Sequence, residues 1–186
     1  MDGHHLADLG FTKQDLEAQI SAFTWASNIV YAETLKRGKF IWGQFLNHDP
    51  FAPLNGDCPQ PWVKKDTCST DLRTLCNASS EVQTRALLYG FSPGSCTGTN
   101  PADLLYMEQD VANFLLVRGP YAYLGNGWLG CSRTYQYPAE QFNADYGDPL
   151  GVCYETTPGS NVFVRNFTKS TVQMDCQTWV PTVVFK

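Results

Sequence analysis

Two stretches of the chain place apolar residues at the three- and four-residue steps of one helical face. The first runs from Thr12 to Arg37, with apolar positions at Leu16, Ile20, Phe23 and Val30. Thr12 can cap its first turn, and Gly38 is a natural stop. The second runs from Asp103 to Arg118 and stops at Gly119-Pro120. The pattern therefore predicts two long helices.

Short aromatic and β-branched runs follow both helices and predict strands. One strand is expected over residues 39–46 and another over residues 121–124. Residues 80–91 fit either a helix or a strand. Residues 49–80 carry four prolines and three cysteines without clear periodicity, so we expect a long loop held by disulfides.

The last quarter of the chain changes character. Residues 161–167 alternate, with Phe163, Arg165 and Phe167 on one face, and residues 171–176 alternate again after a turn. This pattern predicts a β-hairpin, and residues 183–185 fit a final strand. Helices alternating with single strands and followed by a hairpin are typical of a βαβα segment with a terminal β element. The fold class expected is α/β.

Composition excludes several classes of protein. A length of 186 residues suits one domain, and we treat residues 1–186 as such. The net charge of -5 and the 13 scattered Lys and Arg residues argue against binding to nucleic acid. No apolar run approaches the roughly 20 residues that a membrane-spanning helix needs, so none is expected.

Cysteine usage favours an oxidising compartment. The seven cysteines lie at wide spacings, with no CxxC pair and none at zinc-ligand spacing from a histidine. Buried free thiols in a cytosolic protein are the alternative. The sequons that begin at Asn77 and Asn166 favour the secretory pathway and predict two glycans. The simplest pairing joins sequence neighbours and leaves Cys176 over: Cys58 with Cys68, Cys76 with Cys96, and Cys131 with Cys153.

The ends of the sequence are unusual for an exported protein. Met1 to His5 contain no apolar signal segment, and seven cysteines leave one without an internal partner. Both observations fit an incomplete piece whose signal lies upstream. A genuine start with a free thiol is the alternative.

The motifs that run from residue 113 to residue 185 resemble those of glycosyl hydrolase families with a TIM-barrel-like fold. The predicted helix and strand over residues 12–46 fit the middle of such a barrel, so the resemblance spans most of the chain. The resemblance is carried by residues 114–128 (Phe-Leu-Leu-Val-Arg-Gly-Pro-Tyr-Ala-Tyr-Leu-Gly-Asn-Gly-Trp) and residues 145–151 (Asp-Tyr-Gly-Asp-Pro-Leu-Gly). Residues 162–167 (Val-Phe-Val-Arg-Asn-Phe) and 171–175 (Thr-Val-Gln-Met-Asp) complete it. In such families a helix and a strand precede a loop like that at residues 145–151, and a hairpin like that at residues 162–175 ends the domain.

This resemblance implies a partial or truncated (β/α) TIM-barrel-like segment with a C-terminal β-hairpin. A full barrel needs about 250 residues, so the N-terminal part would be absent, and an upstream segment or a companion chain would complete the barrel. Its active site would lie at the carboxyl ends of parallel strands. Those ends would bring His48, Trp128, Asp145 and Asp148 to one rim.

Glycoside hydrolysis needs two carboxyl groups that flank the scissile bond. The best candidates are Asp145 and Asp148, in a glycine-rich loop, although Asp before Gly or Pro is also ordinary turn chemistry. Asp2 is a third candidate if the chain is truncated. Glu108 and Asp110 lie on a predicted helix, so we interpret them as a solvated face.

Aromatic side chains in the same region suit a sugar, because sugars stack their apolar faces on aromatic rings. Trp128 lies between glycines, and Tyr123 and Tyr146 are close by in the sequence, although each can instead fill a core. His48 follows a predicted strand and could also face the sugar. No metal site and no cofactor are predicted, since no Gly-rich phosphate loop or third histidine ligand has a recognisable spacing.

The sequence therefore predicts a secreted glycoside-hydrolase-like protein that acts on, or binds, a polysaccharide or glycoconjugate. The alternative is a non-catalytic extracellular structural or glycan-binding protein on the same scaffold, because function lies in the site and not in the fold.

Overall fold

The computed structural model describes residues 10–45, 67–92, 101–126 and 143–186. The chain divides into two compact units, Met1–Ile41 and Trp42–Lys186. The first unit contains helix α1 (Lys13–Lys36), as the apolar periodicity predicts. Thr12 caps this helix: its Oγ1 accepts from the amide of Asp15, and the Asp15 carboxylate accepts from the amide of Thr12. This reciprocal pair satisfies two amides that the helix itself leaves unbonded.

The other helices belong to the second unit, and the strands form two sheets. The helices are α2 (Thr67–Cys76), α3 (Ser80–Arg85) and α4 (Pro101–Val117). The three-stranded sheet has the order β1 (Ile41–Phe45), β2 (Ala86–Ser92), β3 (Tyr123–Asn126). The four-stranded sheet has the order β4 (Tyr154–Glu155), β5 (Val162–Asn166), β6 (Ser170–Asp175), β7 (Val180–Phe185).

The prediction of a (β/α) TIM-barrel-like segment is wrong. The four-stranded sheet is antiparallel throughout, and its strands follow one another along the chain. Short turns join β5 to β6 and β6 to β7, and turns of that length connect only antiparallel neighbours. Helix α4 packs against β5, β6 and β7 of this sheet, whereas a barrel helix covers parallel strands. Strands β2 and β3 pair in parallel, with α4 between them in the sequence.

The core of the second unit lies between α4 and the antiparallel sheet. Val111, Ala112, Leu115 and Leu116 cover one side of α4, and the buried sheet residues are Phe163, Phe167, Val172 and Met174. The predicted hairpin is confirmed as β5 and β6, and so is the final strand β7. Phe163, Arg165 and Phe167 are all buried, and Val164 on the other face of β5 is buried as well.

Helix α2 lies inside the segment that the sequence predicts to be a loop. Cys68 and Cys76 are buried at its two ends, two turns apart, with Leu72 between them on the same face. Residues 80–91, which fit either pattern, divide into helix α3 and strand β2. None of the helices in the described ranges is long and apolar enough to cross a membrane.

Two disulfides fasten the ends of α2 to the region of the antiparallel sheet. They join Cys68 to Cys176 and Cys76 to Cys153. The predicted pairing of sequence neighbours is therefore wrong for Cys68, Cys76 and Cys153, and Cys176 is not left over. Sequence proximity fails here because one helical face directs both α2 cysteines to partners at least 77 residues away. Cys58, Cys96 and Cys131 lie outside the described residues.

Candidate functional site

The predicted site residues fall into three groups. Asp2, His48 and Trp128 lie outside the described residues. Asp145, Tyr146 and Asp148 lie together in the segment before β4, here called the Asp-Tyr-Gly loop (residues 145–148). Tyr123 lies on β3 and is exposed.

The Asp-Tyr-Gly loop is fixed to the turn between β5 and β6. The amide of Asp148 donates to Thr168 Oγ1 at 2.9 Å, and the amide of Thr168 donates to the Asp148 carbonyl at 2.8 Å. Gly147 has φ +81, and a Cβ built on it would lie 2.3 Å from Thr168 Oγ1. Only glycine combines this backbone conformation with so close an approach. The turn interpretation of these residues thus has a clear structural basis.

The carboxylate of Asp145 is engaged within the same region. Its Oδ1 accepts from the amide of Gly147 at 3.1 Å, and its Oδ2 accepts from Lys169 Nζ. The hydrogen bond from Lys169, followed by that from Gly147, lowers the pKa of Asp145 below its ordinary value. Asp145 is therefore an ionised acceptor at neutral pH, which suits a base or a binding group better than a general acid. The side chain of Asp148 is exposed.

Tyr146 is the aromatic centre of the loop. Its ring stacks on Phe185 of β7, with centroids 5.6 Å apart and the planes inclined by 24°. Ser170 Oγ donates to the Tyr146 carbonyl at 2.9 Å, which fixes the backbone behind the ring. Partial burial raises the pKa of the Tyr146 phenol, and the charge of Arg118 acts in the opposite direction.

Tyr146 borders two adjoining cavities that share Val111, Ala144 and Tyr146, here together called the Tyr146 cleft. The larger cavity has a volume of about 490 Å³, and its walls include Glu108, Thr182 and Phe185. The smaller has a volume of about 230 Å³, and its walls include Arg118 and Asp145. Two carboxylates, one guanidinium and a pair of stacked rings therefore surround one cleft.

Several residues of this cleft escape prediction from the sequence. Phe185 comes from the last strand, about 40 residues after Tyr146, and no local motif joins the two. Glu108 is exposed, as expected for a solvated helix face, but that face turns out to border the cleft. The same interpretation is wrong for Asp110, which is buried. Tyr123 does not line the cleft, although its neighbour Leu124 does.

The two predicted glycosylation sites differ in their surroundings. Asn77 is exposed just after α2, and its Nδ2 donates to the carbonyl of Arg73 at 2.8 Å. Asn166 is half-buried at the end of β5, and its Oδ1 accepts from Thr171 Oγ1 at 3.0 Å. Neither side chain belongs to the buried core.

Within the described ranges, no group of three His, Cys, Asp or Glu side chains could hold a metal ion. No protein-family model matches the sequence, and no curated protein matches it. The resemblance to glycosyl hydrolases therefore depends on the motifs at residues 114–128 and 145–175 alone.

Proposed function

We propose that this protein is a secreted, glycoside-hydrolase-like protein that binds a glycan in the Tyr146 cleft. The observation that carries the proposal is the stacked pair of Tyr146 and Phe185 in a cleft that Glu108 and Asp145 also line. Two disulfides within the described ranges and the two sequons support passage through the secretory pathway.

A sugar ring needs an apolar surface for its C–H face and polar groups for its hydroxyls. Phe185 is 55 % exposed although it is a large apolar side chain, and Tyr146 is half-buried beside it. Covering such aromatic surface with a ligand lowers the free energy of the complex. The Glu108 and Asp145 carboxylates and the Thr182 hydroxyl supply acceptors around it. This combination favours a glycan over a purely apolar ligand.

Glycan binding without catalysis is the function that the geometry supports best. Asp145 is held by Lys169 and by the amide of Gly147, which are contacts that order the loop. Hydrolysis is a second candidate, because Glu108 and Asp145 line two cavities that share Tyr146. In that case the ionised Asp145 would be the base or nucleophile, and Glu108 would be the acid.

The binding proposal is tested by titrating neutral oligosaccharides into the full chain by calorimetry. Phe185→Ala should weaken binding roughly threefold to tenfold, since an aromatic contact contributes about 0.5–1.5 kcal/mol. Phe185→Tyr should retain it. Tyr154→Ala removes another exposed aromatic ring that does not line the Tyr146 cleft, and should leave affinity unchanged. Equal losses in both alanine variants would contradict a site at Tyr146.

The hydrolase candidate is tested by measuring the release of reducing ends from the glycans that bind. Asp145→Asn and Glu108→Gln should each abolish release while leaving a measurable affinity. Binding without release by the unchanged chain would leave the non-catalytic function as the one supported.

A further inference from the structure

A third cavity, of about 420 Å³, lies at the C-terminal end of α4 and is here called the arginine cavity. Arg118 and Arg165 both line it, together with Gln83 and Thr84. None of the described residues that line it carries a carboxylate. Arg118 also lines the smaller part of the Tyr146 cleft, so the arginine cavity adjoins the proposed glycan site.

Arg165 is only 7 % exposed, and its side chain caps the C-terminal end of helix α4. Its Nη1 donates to the carbonyls of Leu115, Leu116 and Arg118, at 3.1, 3.2 and 2.8 Å. Its Nε donates to the carbonyl of Gly151 at 2.9 Å. In the described part of the chain no group accepts a hydrogen bond from Nη2, so two N–H donors of a buried cation remain for a ligand.

The two guanidinium groups contact the same aromatic ring. Both pack on the ring of Phe167, with the central carbons 5.6 Å (Arg118) and 5.4 Å (Arg165) from its centroid. Burial first, and then the charge of Arg118, lowers the pKa of Arg165 to about 10, so Arg165 remains charged at neutral pH. Neighbouring like charges in a partly buried site favour a bound anion, which relieves their repulsion.

We propose that the arginine cavity binds the acidic group of an anionic sugar, a carboxylate above all, whose ring occupies the Tyr146 cleft. This inference rests on the proposed function and specifies its substrate class as an acidic glycan. Guanidinium groups suit the role because they bind a carboxylate through two parallel hydrogen bonds. Arg118 joins the two parts of the site, since it lines both cavities.

The experiment compares an oligogalacturonate with its methyl ester, which has the same sugars but no charge. The full chain should bind the acid roughly tenfold or more tightly than the ester, because a hydrogen bond to a charged group contributes that much. Arg118→Gln should abolish this preference, so that the acid binds no more tightly than the ester to the same variant, whereas Arg118→Lys should retain part of it. Lys13→Gln removes an exposed charge from the other unit and should change neither affinity.

The inference would be overturned if the chain bound the acid no more tightly than the ester, or did not bind it at all. It would also be overturned if the preference survived Arg118→Gln, or if sodium sulfate bound as tightly as the acid. Binding of the ester that is lost in Phe185→Ala would still support the proposed function. Failure of the charge preference and failure of the glycan site are thereby distinguished. Thermal unfolding of each variant shows whether it is folded.

Discussion

Arg73 of α2 and Glu155 of β4 form an ion pair with two hydrogen bonds. Nε of Arg73 donates to Oε2 of Glu155 at 3.0 Å, and Nη2 donates to Oε1 at 2.8 Å. Arg73 also donates to Asn161 Oδ1, and the amide of Asn161 donates to Glu155 Oε1. The pair therefore joins the helix to the strand and to the tight turn before β5. Its hydrogen bonds lower the pKa of Glu155 from 4.5 to about 2.

The first prediction concerns the acid stability of this pair. Because the folded-state pKa of Glu155 is lower than the unfolded-state value, its contribution is complete above pH 4.5 and is lost as the pH falls to about 2. Glu155→Gln should therefore lower the free energy of unfolding at pH 7 and flatten its decline between pH 4.5 and 2. Urea denaturation across that range measures both. Glu17→Gln, in an exposed pair with Lys13, is the matched control and should change the free energy of unfolding at pH 7 little.

Local patterns predict the elements whose signals are local. Thr12 and Asp15 lie three residues apart, and they form the reciprocal cap that opens α1. The alternation of residues 161–176 is likewise sufficient to place β5 and β6 and to bury Phe163 and Phe167. In both cases the residues that interact are neighbours in the sequence or face one another across a short turn.

The failures concern contacts between distant parts of the chain. The buried face of α2 consists of Cys68, Leu72 and Cys76. Since two of these three residues are cysteines, the segment has too few other apolar residues to predict a helix, and its cysteines suggest a loop held by disulfides instead. Whether strands run parallel depends on what each packs against, and no local pattern encodes that. Tyr146 is identified from its motif, whereas its partner Phe185 is identified only in three dimensions.

The second prediction concerns the disulfides. Non-reducing peptide mapping should recover Cys68 linked to Cys176 and Cys76 linked to Cys153. Cys76→Ala with Cys153→Ala should lower the free energy of unfolding by as much as about 4 kcal/mol, because the bond closes a long loop in the unfolded chain. Unfolding of this variant and of the unchanged chain, both without reductant, measures this loss. A peptide that links Cys68 to Cys58 would contradict the structure.

The third prediction concerns the glycans. Expression through a eukaryotic secretory pathway should give a chain that carries glycans at Asn77 and Asn166, since neither side chain belongs to the core. Enzymatic removal of N-glycans should lower the mass by two glycans, and Asn77→Gln and Asn166→Gln should each remove one. Asn77→Gln should have little effect on stability, because Asn77 is exposed. A single-glycan product would show that one sequon is coincidental.

The fourth prediction concerns the steric clash between Thr168 and any side chain at position 147. Gly147 and Gly159 have nearly the same φ, +81 and +82, so the positive φ should strain an alanine similarly at both positions. A Cβ at Gly159 meets nothing within 4 Å, whereas one at Gly147 lies 2.3 Å from Thr168 Oγ1 and 2.6 Å from the Lys169 amide nitrogen. Gly159→Ala should cost about 1 kcal/mol, and Gly147→Ala should cost roughly 2 kcal/mol more.

The same displacement should affect the ligand site. Gly147→Ala must move the Asp-Tyr-Gly loop away from the β5–β6 turn, and Tyr146 moves with it, so its stacking on Phe185 is lost. Glycan affinity should therefore fall at a temperature where the variant is still folded, while Gly159→Ala binds normally. Chemical denaturation and calorimetric titration of the two variants give both comparisons. Equal losses of stability in Gly147→Ala and Gly159→Ala would show that the Asp-Tyr-Gly loop accommodates the added methyl group at no cost in free energy.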